Sequence, residues 1–247
     1  MDQNLIQMLV DPLTNVDIRR IALKQLMITP SLEIIKKVVG IVRNHDCDSS
    51  LSQTALLELG KVLCVLETPT DIKIAVRFEL ALIARDEQRP DLQVIALRTL
   101  APLGAHEVSE TITSFLGDNG NAPMDLHEVL ELLQYYPEYS ALARPFLSHR
   151  NAKVVRAAML SLAEDHESIE ARVNLASKST TTPTVRVAAI NSINDSSPQL
   201  INALQNINQN ELEADFIRNT AIEAVRNLEA KNVIHAKPVG DCNFELS

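Results

Sequence analysis

Three His-Glu pairs are the residues of this chain best suited to do chemistry: His106-Glu107, His127-Glu128 and His166-Glu167. Imidazole and carboxylate together ligate transition metals, and pairs projected from neighbouring helices can hold an iron pair inside a helical core. Only His127-Glu128 lies at a repeated helical position; His106 and His166 fall at turns where a helix begins. Ligands in different registers do not converge on one site. A glutamate in a first helical turn also has a simpler use, because it meets the positive end of the helix dipole. The expectation is therefore no metal site and no cofactor, with His127 and Glu128 the pair to which a metal reading would return.

Other reactive groupings are missing. No glycine-rich phosphate loop follows a strand, and no nucleophile elbow is present. Cys47, Cys64 and Cys242 are scattered and odd in number, without metal-ligand spacing, which points to a reducing compartment. Arg19, Arg156, Arg186 and Arg218 could bind an anion. Their structural use is favoured, with Asp17 and Asp215 placed to pair with them.

These residues sit in a repeated frame. Arg19 in Ile18-Arg19-Arg20-Ile21-Ala22-Leu23, Arg186 in Val185-Arg186-Val187-Ala188-Ala189-Ile190 and Arg218 in Ile217-Arg218-Asn219-Thr220-Ala221-Ile222 share one apolar register. Ser52, Gln93, His127 and Arg156 hold the same slot in four weaker copies. The seven anchors recur about every 33 residues, a solenoid period. Each anchor begins an amphipathic helix, and second amphipathic segments lie between them, such as Leu32, Ile35, Val38, Val39 and Val42. Turns such as Asp11-Pro12-Leu13-Thr14-Asn15 and Ser148-His149-Arg150-Asn151 supply caps. The wide gap from Ser52 to Gln93 predicts a longer first helix across Thr70–Arg85, and no alternating segment predicts a strand. Gly117-Asp118-Asn119-Gly120-Asn121 reads as the most mobile loop.

The form Val/Ile-Arg, one residue, Ala-Ala-Leu/Ile after a small turn resembles HEAT repeats, over about residues 2–230. The resemblance implies an all-α, right-handed α-solenoid of about seven helical hairpins, whose second helices line the concave face. Residues 1–230 are expected to form it, with 231–247 a tail that is disordered or packed on the last repeat. Among HEAT-like proteins, deoxyhypusine hydroxylases build a di-iron site from four His-Glu pairs. Leu126-His127-Glu128-Val129-Leu130-Glu131 is similar to that motif, but a fourth pair is missing here. HEAT-like alkylpurine DNA glycosylases need a basic, tryptophan-bearing groove, and this chain has no tryptophan and a net charge of −9.

That charge is lopsided: −1 over residues 1–105 and −8 over 106–247. An acidic body disfavours nucleic acid as a partner. No apolar run is long enough to span a bilayer, and Met1-Asp2-Gln3-Asn4 opens no secretory signal, so a cytoplasmic location is expected. Positions one and five after each anchor estimate the concave ridge: Arg20/Lys24, Gln53/Leu57, Val94/Arg98, Glu128/Leu132, Ala157/Ser161, Val187/Asn191 and Asn219/Glu223. The expected function is a non-catalytic scaffold or adaptor that binds a protein or peptide segment there. Leu57, Val94 and Leu132 would be its apolar anchors, and Arg20, Lys24 and Arg98 would orient an acidic stretch. Tyr135, Tyr136 and Tyr139 cluster as a second contact edge, through which homo-oligomers could also form. The alternative is a HEAT-like enzyme, either a degenerate di-iron hydroxylase or a bilin or other prosthetic-group lyase.

Overall fold

Leu, Ile, Val and Ala recur at helical spacing along the chain, and the computed structural model, which describes residues 2–117, 122–195 and 197–235, answers with helices and no strand among those residues. Seven hairpins follow in order. The first pairs α1 (Asp2–Val10) with α2 (Val16–Leu26), and the second α3 (Leu32–Arg43) with α4 (Ser49–Cys64). The third pairs α5 (Thr70–Ala84) with α6 (Pro90–Leu100), and the fourth α7 (His106–Ser114) with α8 (Leu126–Leu133). In the fifth, a 3-10 segment, Pro137–Ser148, precedes α9 (Ala152–Ser161). Then come α10 (Ile169–Ser177) with α11 (Pro183–Asn191), and α12 (Pro198–Gln209) with α13 (Asp215–His235). Every anchored segment is the second helix of its pair. The fold is that of a helical-hairpin repeat protein of the α-solenoid class.

The helix starts follow from their caps. Asn15 accepts from the Asp17 N–H at 2.8 Å, Asp48 from Leu51 at 3.0 Å and Asn151 from Lys153 at 3.0 Å. Pro90, Pro183 and Pro198 open α6, α11 and α12, where a missing N–H costs nothing. The wide gap in the middle of the repeat pattern has two sources. First helix α5 is long, as expected, and second helix α4 runs 16 residues. Gly104, at φ +60°, closes the short 3-10 turn Ala101–Leu103 and lets the chain reverse into α7.

The chain divides into two compact units, Met1–Tyr136 and Pro137–Ser247. In the first, second helices α2, α4 and α6 pack in series, and first helices α1, α3, α5 and α7 form the other layer. Leu23, Val38, Leu56, Leu59, Val76 and Leu97 fill the space between them. In the second unit, α9, α11 and α13 pack in series above α10 and α12, around Ala158, Ile190, Leu204 and Ala221. Each layer buries apolar surface that one hairpin alone would leave in water. Pro145 has no N–H to give the Ala141 carbonyl, which breaks an α pattern inside the 3-10 segment. Helix α13 reaches His235, beyond the boundary expected at residue 230. The rest of the expected tail and loop residues 118–121 lie outside the described residues.

Candidate second-helix binding face

The repeated slot is a bond before it is a surface. Arg19 Nε donates to the Leu9 carbonyl at 2.9 Å, Gln93 Nε2 to Ala84 at 3.0 Å and Arg186 Nε to Ala176 at 2.8 Å. Ser52 Oγ reaches the Ile41 carbonyl at 3.5 Å. Each acceptor lies near the end of the first helix of the same pair, where carbonyls have no partner within the helix. The side chain at this slot therefore ties the end of one helix to the start of the next. Ser52 and Gln93 keep the donor after the arginine is gone. The arginines' structural reading holds at Arg19 and Arg186, although Asp17 pairs with Arg20 at 3.0 Å rather than with Arg19. Arg218 does bond Asp215, its expected partner.

Counted from the helix cap, these slots share one place. Arg19, Ser52, Gln93 and Arg186 stand fourth after Asn15, Asp48, Arg89 and Thr182. The same count in α8 and α9, from Asp125 and Asn151, gives Val129 and Val155, both buried. His127 and Arg156 are therefore two residues early and one residue late. The sequence carried a signal for the first correction, since Asp125 and Glu128 form a capping box.

The corrected register moves four residues of the expected ridge, Glu128, Leu132, Ala157 and Ser161. Leu132 and Ser161 are buried, Leu132 at 7% exposure, and the exposed places belong to Gln134 and Leu160. Leu132 is thus a core residue and offers no anchor to a partner. With this shift the fifth residue after the slot is exposed in all seven second helices: Lys24, Leu57, Arg98, Gln134, Leu160, Asn191 and Glu223. Leu57 is 51% exposed, and Arg20 and Val94 are half-buried. Tyr136 is a second correction. Only 1% exposed, it donates its hydroxyl proton to the Ala105 carbonyl at 2.9 Å and belongs to the core of its unit. Tyr135 is exposed and Tyr139 half-buried.

In the first unit, polar groups link successive second helices along this face. Arg20 bonds Ser50, Gln53 Nε2 donates to Asp91 at 3.3 Å, Ser49 Oγ to Asp91 at 3.0 Å, and Arg98 pairs with Glu128. Burial pushes the Asp91 carboxyl up, but the hydrogen bonds from Gln53 and Ser49 outweigh it and hold the group below its ordinary range. The expected basic orienting groups Arg20 and Arg98 are thus already part of a ladder between repeats.

Links between repeats also engage the glutamates of the His-Glu pairs. Arg77 donates to Glu107 at 2.7 Å, Arg98 to Glu128, and Arg144 to Glu167. Each glutamate is the acceptor for an arginine from an earlier repeat. The Glu128 carboxylate also closes the capping box, accepting from the Asp125 N–H at 3.1 Å. The Glu128 carboxylate is thus shared between Arg98 and the Asp125 N–H. Among the described residues no three His, Cys, Asp or Glu side chains gather as metal ligands would. No described helix is long and apolar enough to cross a membrane.

In the second unit the second helices border a cleft of about 730 Å³. Met159 and Leu160 of α9, Ala163 in the turn after it, Val187 and Ala188 of α11 and Phe216 of α13 form its apolar walls. Arg156, Thr184, Asn191 and Ser192 supply the polar groups. The repeat pattern placed Val187 and Asn191 here but missed Leu160 and Phe216. The anchor at Arg156 set the α9 ridge at Ala157 and Ser161, so Leu160 fell outside it, and Phe216 lies before its anchor.

No family model matches the sequence, and no curated protein matches it. Among solved structures, the chain is similar to human deoxyhypusine hydroxylase in complex with glycerol (16% identity, 93% of this chain and 96% of that one, TM-score 0.39). It is similar to the CpcE–CpcF complex of phycocyanin lyase from Nostoc sp. (16% identity, 94% of each chain, TM-score 0.46). A designed armadillo repeat protein also matches (15% identity, 92% of this chain and 100% of that one, TM-score 0.31). Likenesses this distant carry no activity, partner or ligand over to this chain.

Proposed function

We propose that this protein is a non-catalytic, cytoplasmic platform that binds a protein or peptide segment on the face built by its second helices. One observation carries the reading: the fifth residue after the cap-defined slot is exposed in every second helix, and two of the seven are leucines. Leu57 and Leu160 keep about half of their surface in water. Apolar side chains in regular array on a rigid helical layer suit an extended or helical partner, with polar neighbours fixing its direction. Lys24 and Arg98 would orient acidic groups of that partner in the first unit, and Tyr135 and Tyr139 remain as further contacts. The test is binding to a partner purified by crosslinking from the native host. Leu57→Asp or Leu160→Asp should weaken that complex at least about tenfold, with helicity and melting unchanged. Unchanged affinity in both variants would sink the proposal.

A second reading, an enzyme handling a prosthetic group, draws on the cleft, whose volume lies within the range of small-molecule sites. Colour, absorbance and iron content of protein purified from its host decide between them. A stoichiometric chromophore or iron would replace the platform reading.

A further inference from the structure

We infer that the outer stripe of α5 is a self-complementary contact through which two copies of this chain pair antiparallel. The stripe lies on the first-helix layer, so the inference is independent of the platform reading. Ile74, Phe78 and Leu82 follow one another at four-residue steps along α5 and are 64%, 62% and 40% exposed. Asp71, in the first turn, and Arg85, the C-cap, extend the row by three residues at each end, and both are exposed. Arg85 lies just past α5, but its φ of −102° and ψ of −3° stay close to helical winding, so the spacing holds. The five residues therefore fall within about 80° of one helix face. The helix dipole accounts for an acid at the start and a base at the end. It does not account for three large apolar side chains left in water between them. Among the described residues, none of α1, α3 and α7 leaves more than two so exposed.

The row reads acid, apolar, apolar, apolar, base, and its steps of 3, 4, 4 and 3 are the same from either end. A two-fold axis at Phe78 therefore returns the row onto itself. Phe78 meets Phe78 of the second copy, each Ile74 meets a Leu82, and each Asp71 meets an Arg85. Parallel pairing is disfavoured by the same row, because it sets Asp71 against Asp71 and Arg85 against Arg85. Arg85 already gives one N–H to the Glu107 carbonyl at 2.8 Å. A guanidinium has five N–H groups, so it keeps that neutral acceptor and takes a carboxylate as well. Arg77 and Glu79 flank Phe78 and are paired within the chain, with Glu107 and Arg43, so they bring no net charge to the centre. A face one helix wide and about 20 Å long is near the lower bound for a specific interface, roughly 1,000 Å² in total, so a micromolar dimer is expected.

The test is sedimentation velocity of the full chain from about 1 to about 200 µM, where the mass should rise from that of one copy toward that of two. Phe78→Asp should leave one copy at every concentration, with helicity unchanged because the side chain is exposed. Asp71→Arg and Arg85→Asp each set like charges together at both ends of the pair, and each should weaken it at least about tenfold. Mixed in equal amounts, these two variants are complementary again. Mixed dimers should form with an affinity within about threefold of the unmodified chain. That recovery requires both variants to be folded, so it reads the contact even if Phe78→Asp does not fold. A chain that stays single at the highest concentration, a dimer that survives Phe78→Asp, or charge variants that do not recombine on mixing overturns the inference. Leu57→Asp separates this contact from the second-helix face. It should leave the dimer unchanged; a dimer lost in Leu57→Asp and kept in Phe78→Asp would mean that the copies meet there, and the inference is wrong.

Discussion

Arg172 is a cation with no surface in water, held by carbonyls rather than by a carboxylate. It donates to the Asp165 carbonyl at 3.0 Å and to the Ser192 carbonyl, joining the end of one hairpin to the next. Burial lowers its pKa, yet a guanidinium remains charged at any ordinary pH. Arg172→Met would strand two buried carbonyls, and a loss of about 2–5 kcal/mol is expected from denaturant unfolding. Beside it, Arg144 grips the Asp165 carboxylate at 2.8 and 2.5 Å, and that contact holds the carboxyl below its ordinary range. Glu213 is lowered in the same way by Arg186, which donates to it at 2.7 and 2.5 Å. For both acids the folded pKa lies below the unfolded one. Their contribution is complete above the unfolded value, near 4, and is lost as pH falls through the folded value. The melting temperature should stay level in this respect from neutral pH to about pH 5 and then fall. In Asp165→Asn it should start lower at pH 7 and fall less steeply below pH 4, as read by thermal melts across that range.

At the scale of the element, two helical glycines divide by what surrounds them. A Cβ at Gly60 of α4 would lie 2.7 Å from Thr99 Cγ2 of α6, so this glycine sets how closely two second helices cross. Gly60→Ala is expected to cost about 1–3 kcal/mol through overpacking, and Thr99→Ser, which removes the offending methyl, should recover part of the loss in the double variant. At Gly40 of α3 a Cβ would meet nothing within 4 Å, and Gly40→Ala should stabilise by about 0.5–1 kcal/mol. Thermal melts of the four proteins separate these effects. The helices were legible because the hairpins repeat an apolar stripe at helical spacing. Arg19, Arg186 and Arg218 mark the slot plainly. The register slipped in α8 and α9 because valine holds the slot there, and His127 and Arg156 nearby offered polar substitutes. The site suffered from the same slip, which put buried Leu132 on the surface and kept exposed Leu160 off it. Tyr136 misled for another reason: a tyrosine hydroxyl can bond a buried carbonyl as readily as a partner, and only the fold shows which. The 3-10 winding of Pro137–Ser148 and the division after Tyr136 leave no periodic trace to read.

Across the whole molecule, stability in a repeat protein is a sum of local terms and neighbour contacts, so damage should stay near its origin. The links observed are consistent with that. Arg20 reaches Ser50, Gln53 reaches Asp91, Arg98 reaches Glu128 and Arg186 reaches Glu213, each joining one repeat to the next. The two units each enclose their own core. Arg172→Met should therefore raise amide hydrogen exchange in α9, α10 and α11, less in α13, and leave α2, α4 and α6 at the rates of the unmodified protein. Gly60→Ala should do the reverse, loosening α4 and α6 first. Mass-resolved exchange on the full chain reads both variants in one experiment. A uniform rise across all helices in either variant would mean that the chain unfolds as a single cooperative body. In that case a partner held on the second-helix face would stabilise every repeat at once. If the rise stays local, a segment bound on the second-helix face of one unit should protect the second helices of that unit, while those of the other continue to exchange as before.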